Sequence, residues 1–341
     1  MEQQLIQQEL ENFVGMIDSF PASDSVSKFY RIESLLSPIE DSTLELFFGK
    51  VEYNKALKLI YEAQDAIKKC KIGDLDIGFN DFQTVYSKSL SLSINGHQYV
   101  NLYYLSGLAY YYYRKQDFTK ALSYTLEEIQ ETQDIESKGA TILHYRRTGH
   151  VLNLIKIFQS MNENDKVLEL SFGLIQYLLI GDKTFMPDGN WESYLLNYVP
   201  YIKQRALDIT FMQTVDIFIK YGDNDAMKSL IFWNVFDKLP EFEPQNDNQA
   251  MIYNWIYLQK HFFNNRYTEF INESIEFCQT PFDSSFDSLK LSLLPNIIYL
   301  NNINRNSKYS YKLNNEIKNF TINKLSSSEY LKNYVYELML E

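Results

Sequence analysis

Apolar residues recur at intervals of three and four along most of the chain, which is the spacing of one face of an α-helix. In the first predicted helix, over residues 2–19, Leu10, Phe13 and Ile17 follow this spacing. The same pattern predicts a dozen or more helices and no convincing sheet. Glycine and proline are also scarce, at 12 and 8 of 341 residues, which argues against a turn-rich β protein. We therefore expect an all-α fold.

The strongest pattern lies between Leu102 and Gln133. Four of its residues share one helical stripe: Leu105, Leu108, Ala109 and Tyr112. A second stripe follows the polar residues 115–117 and begins with Phe118, Ala121, Leu122 and Thr125. The two small residues, one on each stripe, allow two helices to approach closely. The pattern predicts an αα-hairpin with a tight polar turn.

This hairpin resembles a tetratricopeptide repeat, in which large-x2-Leu-Ala-x2-Tyr, a short turn and aromatic-x2-Ala follow one another. Tyr53 and Ala56 repeat the aromatic-x2-Ala spacing earlier in the chain. The sequence departs from the family at Gln116, in place of the usual turn glycine, and at Gln133, where a proline often closes the repeat. The resemblance implies a right-handed α-solenoid of antiparallel helix pairs, with a period that is not a strict 34 residues. An ordinary helical bundle is the alternative.

The loop over residues 181–189 is the best candidate for a boundary between domains. We expect an N-terminal helical-repeat region over residues 1–185 and a C-terminal one over 186–341, continuous with the first. Further helices are predicted over residues 26–36 and 191–205.

Short polar segments predict turns between helices elsewhere in the chain. The segments concerned are Gly73-Asp74, Asn95-Gly96, the residues around Asn162 and those around Asn265.

The formal net charge of −12 disfavours direct nucleic-acid binding, because neutralising phosphates requires clustered Lys and Arg. The N-terminus has no basic segment followed by an apolar one, and no apolar run reaches the roughly 20 residues that span a bilayer. Cys70 and Cys278 lie far apart and are expected to be buried free thiols. These features predict a cytoplasmic protein without a membrane segment.

No catalytic or nucleotide-binding motif is present, so no catalytic residue and no cofactor are predicted. His144 and His150 are six residues apart, which does not place them together on one helix face. No metal site is predicted.

A group of basic and polar residues stands out in this acidic chain. Arg146, His150 and Asn153 share one helical face, and Arg147 lies one turn before His150. Such a face can clamp the backbone or a carboxylate of an extended peptide. The alternative is a solvated face with salt bridges to carboxylates such as Glu128.

Six tyrosines surround the start of the hairpin: Tyr103, Tyr104 and Tyr110 to Tyr113. We expect Tyr112 in the core. Tyr110 and Tyr113 are candidates for contacts with a partner, because exposed tyrosines bind adaptably at little entropic cost.

The sequence favours a protein- or peptide-binding helical-repeat scaffold, acting as a regulatory sensor or adaptor through a partner protein. The predicted binding residues are Arg146, Arg147, His150, Asn153, Tyr110 and Tyr113. The alternatives are an enzyme without a recognisable motif, or its accessory subunit, and a structural homo-oligomer.

Overall fold

A computed structural model describes residues 2–23, 40–192, 200–221, 225–281, 283–304 and 307–339. These ranges contain fifteen α-helices and no strand, which confirms the all-α prediction. The predicted helix 26–36, and residues 193–199 of the predicted helix 191–205, lie outside the described residues. None of the described helices is long and apolar enough to cross a membrane.

The chain forms two compact units. One is Ser34–Leu207, and the other combines Met1–Glu33 with Asp208–Glu341. Residue 185, at which the sequence suggested a division, lies within the first of these units.

The unit Ser34–Leu207 is built from consecutive helices, each packed against the next from α3 to α8. They are α2 (residues 40–48), α3 (Lys50–Ile72), α4 (Leu75–Ser89), α5 (Ile94–Arg114), α6 (Phe118–Ser137), α7 (His144–Ser160), α8 (Asn164–Ile180) and the start of α9 (Pro200–Lys220). Helix α5 is central, since it packs against α3, α4 and α6.

The other unit joins the N-terminal helix to the C-terminal helices. They are α1 (Glu2–Met16), α9 from Asp208 onward, α10 (Asp225–Ile231), α11 (Asp247–Phe263), α12 (Tyr267–Gln279), α13 (Asp287–Asn304), α14 (Ser307–Lys324) and α15 (Glu329–Glu337). Helix α1 packs against α12, α13 and α14.

Four helix pairs are joined by the same kind of short turn, of two residues at Gly73 and of three at Gln116, Asn162 and Asn265. At each position φ is positive, at 105°, 61°, 60° and 59° respectively. In the α5–α6 turn, the Gln116 N–H donates to Tyr113 O and the Asp117 N–H to Tyr112 O, both at 3.0 Å. This is the Schellman pattern of helix termination, and the other three turns repeat it. The predicted turns at these four places are therefore confirmed.

The three turns of the Ser34–Leu207 unit recur after 43 residues (73 to 116) and 46 residues (116 to 162). Both intervals exceed the roughly 34 residues of a tetratricopeptide repeat.

The start of α5 differs from the prediction of a turn at Asn95-Gly96. Both residues lie in the first turn of α5, because the Ser93 side chain caps the helix by accepting the Gly96 N–H at 3.2 Å. Farther along α5, a Cβ on Gly107 would lie 2.4 Å from the Phe82 ring, so the glycine permits close packing of α5 on α4.

Two apolar clusters form the core around α5. One includes Tyr53, Ala56, Tyr99 and Leu102, and the other Ala66, Cys70, Phe82 and Leu108. Cys70 and Cys278 are both buried free thiols, as predicted.

Candidate functional site

The four basic and polar residues predicted to clamp a peptide lie at very different depths on α7. Arg147 is fully buried and His150 is 5% exposed, whereas Arg146 is half-buried and Asn153 is exposed. Because α6 and α8 pack on either side of α7, most of the predicted face is covered. Of these four residues, Asn153 alone is exposed.

Arg147 does bind a main chain, but it is that of its own protein. Its Nη2 donates to Asn190 O and its Nη1 donates to Gln133 Oε1 at 3.0 Å. The same Gln133 oxygen accepts the Asn190 N–H at 2.6 Å. The guanidinium also lies 4.0 Å from the centroid of the Trp191 ring, which is 1% exposed. These contacts fasten the segment after α8 onto α6 and α7.

Further polar side chains complete this buried cluster. His144 places its Nδ1 3.3 Å from Glu136 Oε2 and its Nε2 2.6 Å from the Tyr177 hydroxyl. Burial raises the pKa of Tyr177 and lowers that of Arg147. The cluster joins α6, α7 and α8, so its role in this arrangement is structural.

A second buried group lies between α5, α6 and α7. Glu128 has no exposed surface, accepts a hydrogen bond from Ser106 Oγ, and lies 3.3 Å from His150 Nδ1. Burial raises the pKa of Glu128 to about 8, although the hydrogen bond from Ser106 and the charge of Arg146 oppose this. Burial, reinforced by Arg146, lowers the pKa of His150 to about 3. The alternative prediction is a solvated face with salt bridges to carboxylates such as Glu128. Glu128 does lie beside His150, but both side chains are in the core and not on a solvated face.

A surface of half-buried tyrosines crosses α4, α5 and α6. We call it the tyrosine surface, and it consists of Tyr86, Tyr104, Tyr112 and Tyr124. The rings of Tyr86 and Tyr104 are 4.7 Å apart, and those of Tyr112 and Tyr124 are stacked 5.5 Å apart with a 12° interplanar angle. Burial raises the pKa of Tyr104, the hydrogen bond from Gln83 Nε2 lowers it, and the phenols of the three other members raise it further.

Polar groups accompany these rings along α5. His97, Asn101, Tyr104 and Tyr112 follow the helical spacing of one stripe. The His97 ring lies 5.5 Å from that of Tyr86. Asn101 is half-buried, and its amide forms no hydrogen bond with the rest of the described chain. The stripe therefore offers aromatic faces, phenol hydroxyls and a free amide at one surface.

Tyr110 and Tyr113, which are predicted to contact a partner, form their hydrogen bonds outside the tyrosine surface. The Tyr110 hydroxyl accepts a hydrogen bond from Arg114 Nη1 at 3.1 Å. The Tyr113 hydroxyl lies 3.0 Å from Ser160 Oγ on α7. Both are half-buried and neither belongs to the tyrosine surface. Tyr112, predicted to lie in the core, is half-buried: it packs against the core cluster that contains Leu108, and its ring stacks on Tyr124.

Sequence reasoning missed Tyr86, Tyr104 and Tyr124 as parts of one surface. A partial signal was available on α5, where the polar or aromatic residues 97, 101, 104 and 112 share a stripe that the buried Leu108 interrupts. The partners on α4 and α6 could be identified only from the way these helices pack.

Among the described residues, no group of three or more His, Cys, Asp or Glu side chains is arranged to hold a metal ion. No family model, no curated protein and no solved structure matches the chain.

Proposed function

We propose that the protein is a helical-repeat scaffold that binds a peptide segment of a partner protein on the tyrosine surface, as a regulatory sensor or adaptor. The observation that carries this proposal is the row of four half-buried tyrosines across three helices. In this proposal the antiparallel hairpins form a solenoid like that of tetratricopeptide proteins.

The chemistry of the surface suits recognition of an extended segment. Tyrosine offers a rigid ring and a hydroxyl while losing little conformational entropy on binding. The free amide of Asn101 supplies both a donor and an acceptor, as a peptide backbone requires. Helices α4, α5 and α6 hold these groups on rigid elements, which limits the ordering cost of binding.

Site-specific photocrosslinking tests the proposal. The photoreactive residue p-benzoylphenylalanine replaces Asn101 in one protein and Tyr61 in a control. Tyr61 is a suitable control because it is 55% exposed on α3, in the same unit. After irradiation in an extract of cells that express the protein, a partner adduct is expected from position 101 and not from position 61.

Replacing Tyr104 and Tyr124 with alanine should abolish the adduct while the circular dichroism spectrum stays helical. Adducts that form equally at both positions would contradict the proposal. So would an adduct found only with a second copy of the chain, which would indicate a structural oligomer.

A further inference from the structure

Four tyrosines of α5 each have a Lys or Arg side chain of the same protein over the face of the ring. Four such pairs occur, with distances from the cation to the ring centroid of 4.0 Å for Arg146 and Tyr103, 6.0 Å for Arg114 and Tyr110, 4.9 Å for Lys115 and Tyr111, and 4.8 Å for Lys120 and Tyr112. An electron-rich ring face attracts a nearby cation, and the attraction grows when water is excluded.

Tyr104 has no such cation over its ring, and nor do Tyr99 and Tyr113 elsewhere on the same described helix. Within the described ranges no Lys or Arg lies over Tyr104, nor over its ring neighbours Tyr86 and Tyr124. The middle of the tyrosine surface thus has aromatic faces without a cation.

Carboxylates border this part of the surface on α6. Three side-chain contacts set the antiparallel register of α5 and α6: Gln98 with Lys138, Ser106 with Glu128, and Tyr112 with Tyr124. In this register Tyr104 lies level with Glu131. Because Tyr124, Glu127 and Glu131 are three and four residues apart, they share the stripe of α6 that borders α5.

Neither of these carboxylates is in direct contact with a cation of the described chain. Neither Glu127 nor Glu131 forms an ion pair with any described residue. The Oε2 atom of Glu131 is shielded from solvent and accepts no hydrogen bond from the described chain. Burial and the like charges of Asp134 and Glu127 raise the pKa of Glu131, and the charge of Lys138 opposes this only in part. A positive charge from outside would relieve this repulsion.

We infer that the segment bound on the tyrosine surface is basic, with an Arg or Lys side chain over Tyr104 and its charge facing Glu127 and Glu131. This inference rests on the proposed function and specifies its partner. Arginine fits best, because its planar guanidinium stacks on a ring while its N–H groups bind a carboxylate. The net charge of −12 also favours encounter with a basic partner.

Peptide display provides the test. A random peptide library on phage is selected on the 341-residue chain and counter-selected on its Tyr104→Ala variant, so that only peptides dependent on this ring remain. The selected peptides are expected to contain Arg or Lys. A synthetic labelled copy should then bind with a Kd that rises about tenfold in Glu127→Gln/Glu131→Gln, which corresponds to about 1.4 kcal/mol.

The matched control is Glu163→Gln/Glu169→Gln, which removes two exposed carboxylates at the start of α8. It changes the net charge equally and should leave the Kd unchanged. The Glu-to-Gln changes keep the side-chain shape, so loss of folding, checked by circular dichroism, is not expected.

The possible failures are distinguishable. Selected peptides that depend on Tyr104 but lack Arg and Lys would overturn this inference and leave the proposed function intact. Equal loss of affinity in both Glu-to-Gln variants would also overturn it, since the effect would then come from net charge. A library that yields no Tyr104-dependent peptide would count against both.

Discussion

At the scale of single residues, the protonation of Glu128 is the most unusual feature. It has no exposed surface, and burial holds its pKa at about 8. Burial likewise holds the pKa of the facing His150 at about 3. Near neutral pH both side chains are therefore mostly uncharged, and the contact between α6 and α7 is a neutral one rather than a salt bridge.

The two shifts affect stability in opposite directions. Glu128 binds its proton more tightly in the folded chain, so its contribution is complete below its ordinary pKa of 4.5 and is lost as the pH rises to about 8. His150 binds its proton less tightly when folded, so its contribution is complete above 6.5 and is lost as the pH falls toward 3. Between pH 6.5 and 8, the contribution of Glu128 is the one that changes.

We therefore expect Glu128→Gln to remove a pH dependence of stability. Between pH 6.5 and 8 the free energy of unfolding of the wild type should fall relative to that of the variant. The fall is limited to about 1.4 kcal/mol per pH unit for one proton. Urea titrations followed by circular dichroism at several pH values measure it. The exposed neighbour serves as the control, since Glu127→Gln should keep the wild-type slope. Parallel profiles for wild type and Glu128→Gln would refute the assignment.

At the scale of elements, the shared turn forms both with glycine and without it. Gln116 adopts φ of 61°, a left-handed conformation that costs a residue with a Cβ roughly 1–2 kcal/mol. Gly73 occupies the same place in the α3–α4 turn without this cost. The turn therefore keeps its geometry even where the sequence lacks the residue that suits it best.

Gln116→Gly should accordingly stabilise the protein. Relief of the strain is partly offset by the greater freedom of glycine in the unfolded chain, so we expect a gain of about 0.5–1 kcal/mol. Thermal and urea unfolding measure the change. Ser123→Gly, at an exposed position within α6, is the control and should cost about 0.5 kcal/mol. A loss of stability in both variants would mean that the left-handed conformation at residue 116 carries no strain.

The helices and most turns were predictable because they depend on local spacing and polar breaks. The turn predicted at Asn95-Gly96 is not formed, because Ser93 caps a helix that begins at Ile94 and includes both residues. The same limit applies to the site. Spacing places Arg146, His150 and Asn153 on one face, but only the packing of α6 and α8 decides which part of that face is buried.

At the scale of the whole molecule, the two ends of the chain belong to one unit. The Phe20 ring lies 5.6 Å from that of Phe13 on α1 and 5.5 Å from that of Phe320 on α14. Lys324 Nζ donates to Asp18 O at 2.6 Å and to Phe20 O at 2.7 Å. The predicted domain boundary divided the chain at one point and so could not indicate that its N-terminal helix packs with the C-terminal helices. Hydrophobic periodicity describes each helix by itself and carries no information on contacts between helices distant in sequence.

The N-terminal helix should therefore stabilise the C-terminal helices, and Phe13→Ala tests this. Phe13 is fully buried, so its truncation leaves a cavity and is expected to cost about 3–5 kcal/mol in the free energy of unfolding of this unit. Hydrogen exchange followed by mass spectrometry should show faster exchange in α14, far away in sequence. The control is Leu5→Ala, which truncates a 45% exposed residue of the same helix and should cost less than about 1 kcal/mol. Unchanged exchange in α14 of the Phe13→Ala protein would mean that α1 does not support the C-terminal helices.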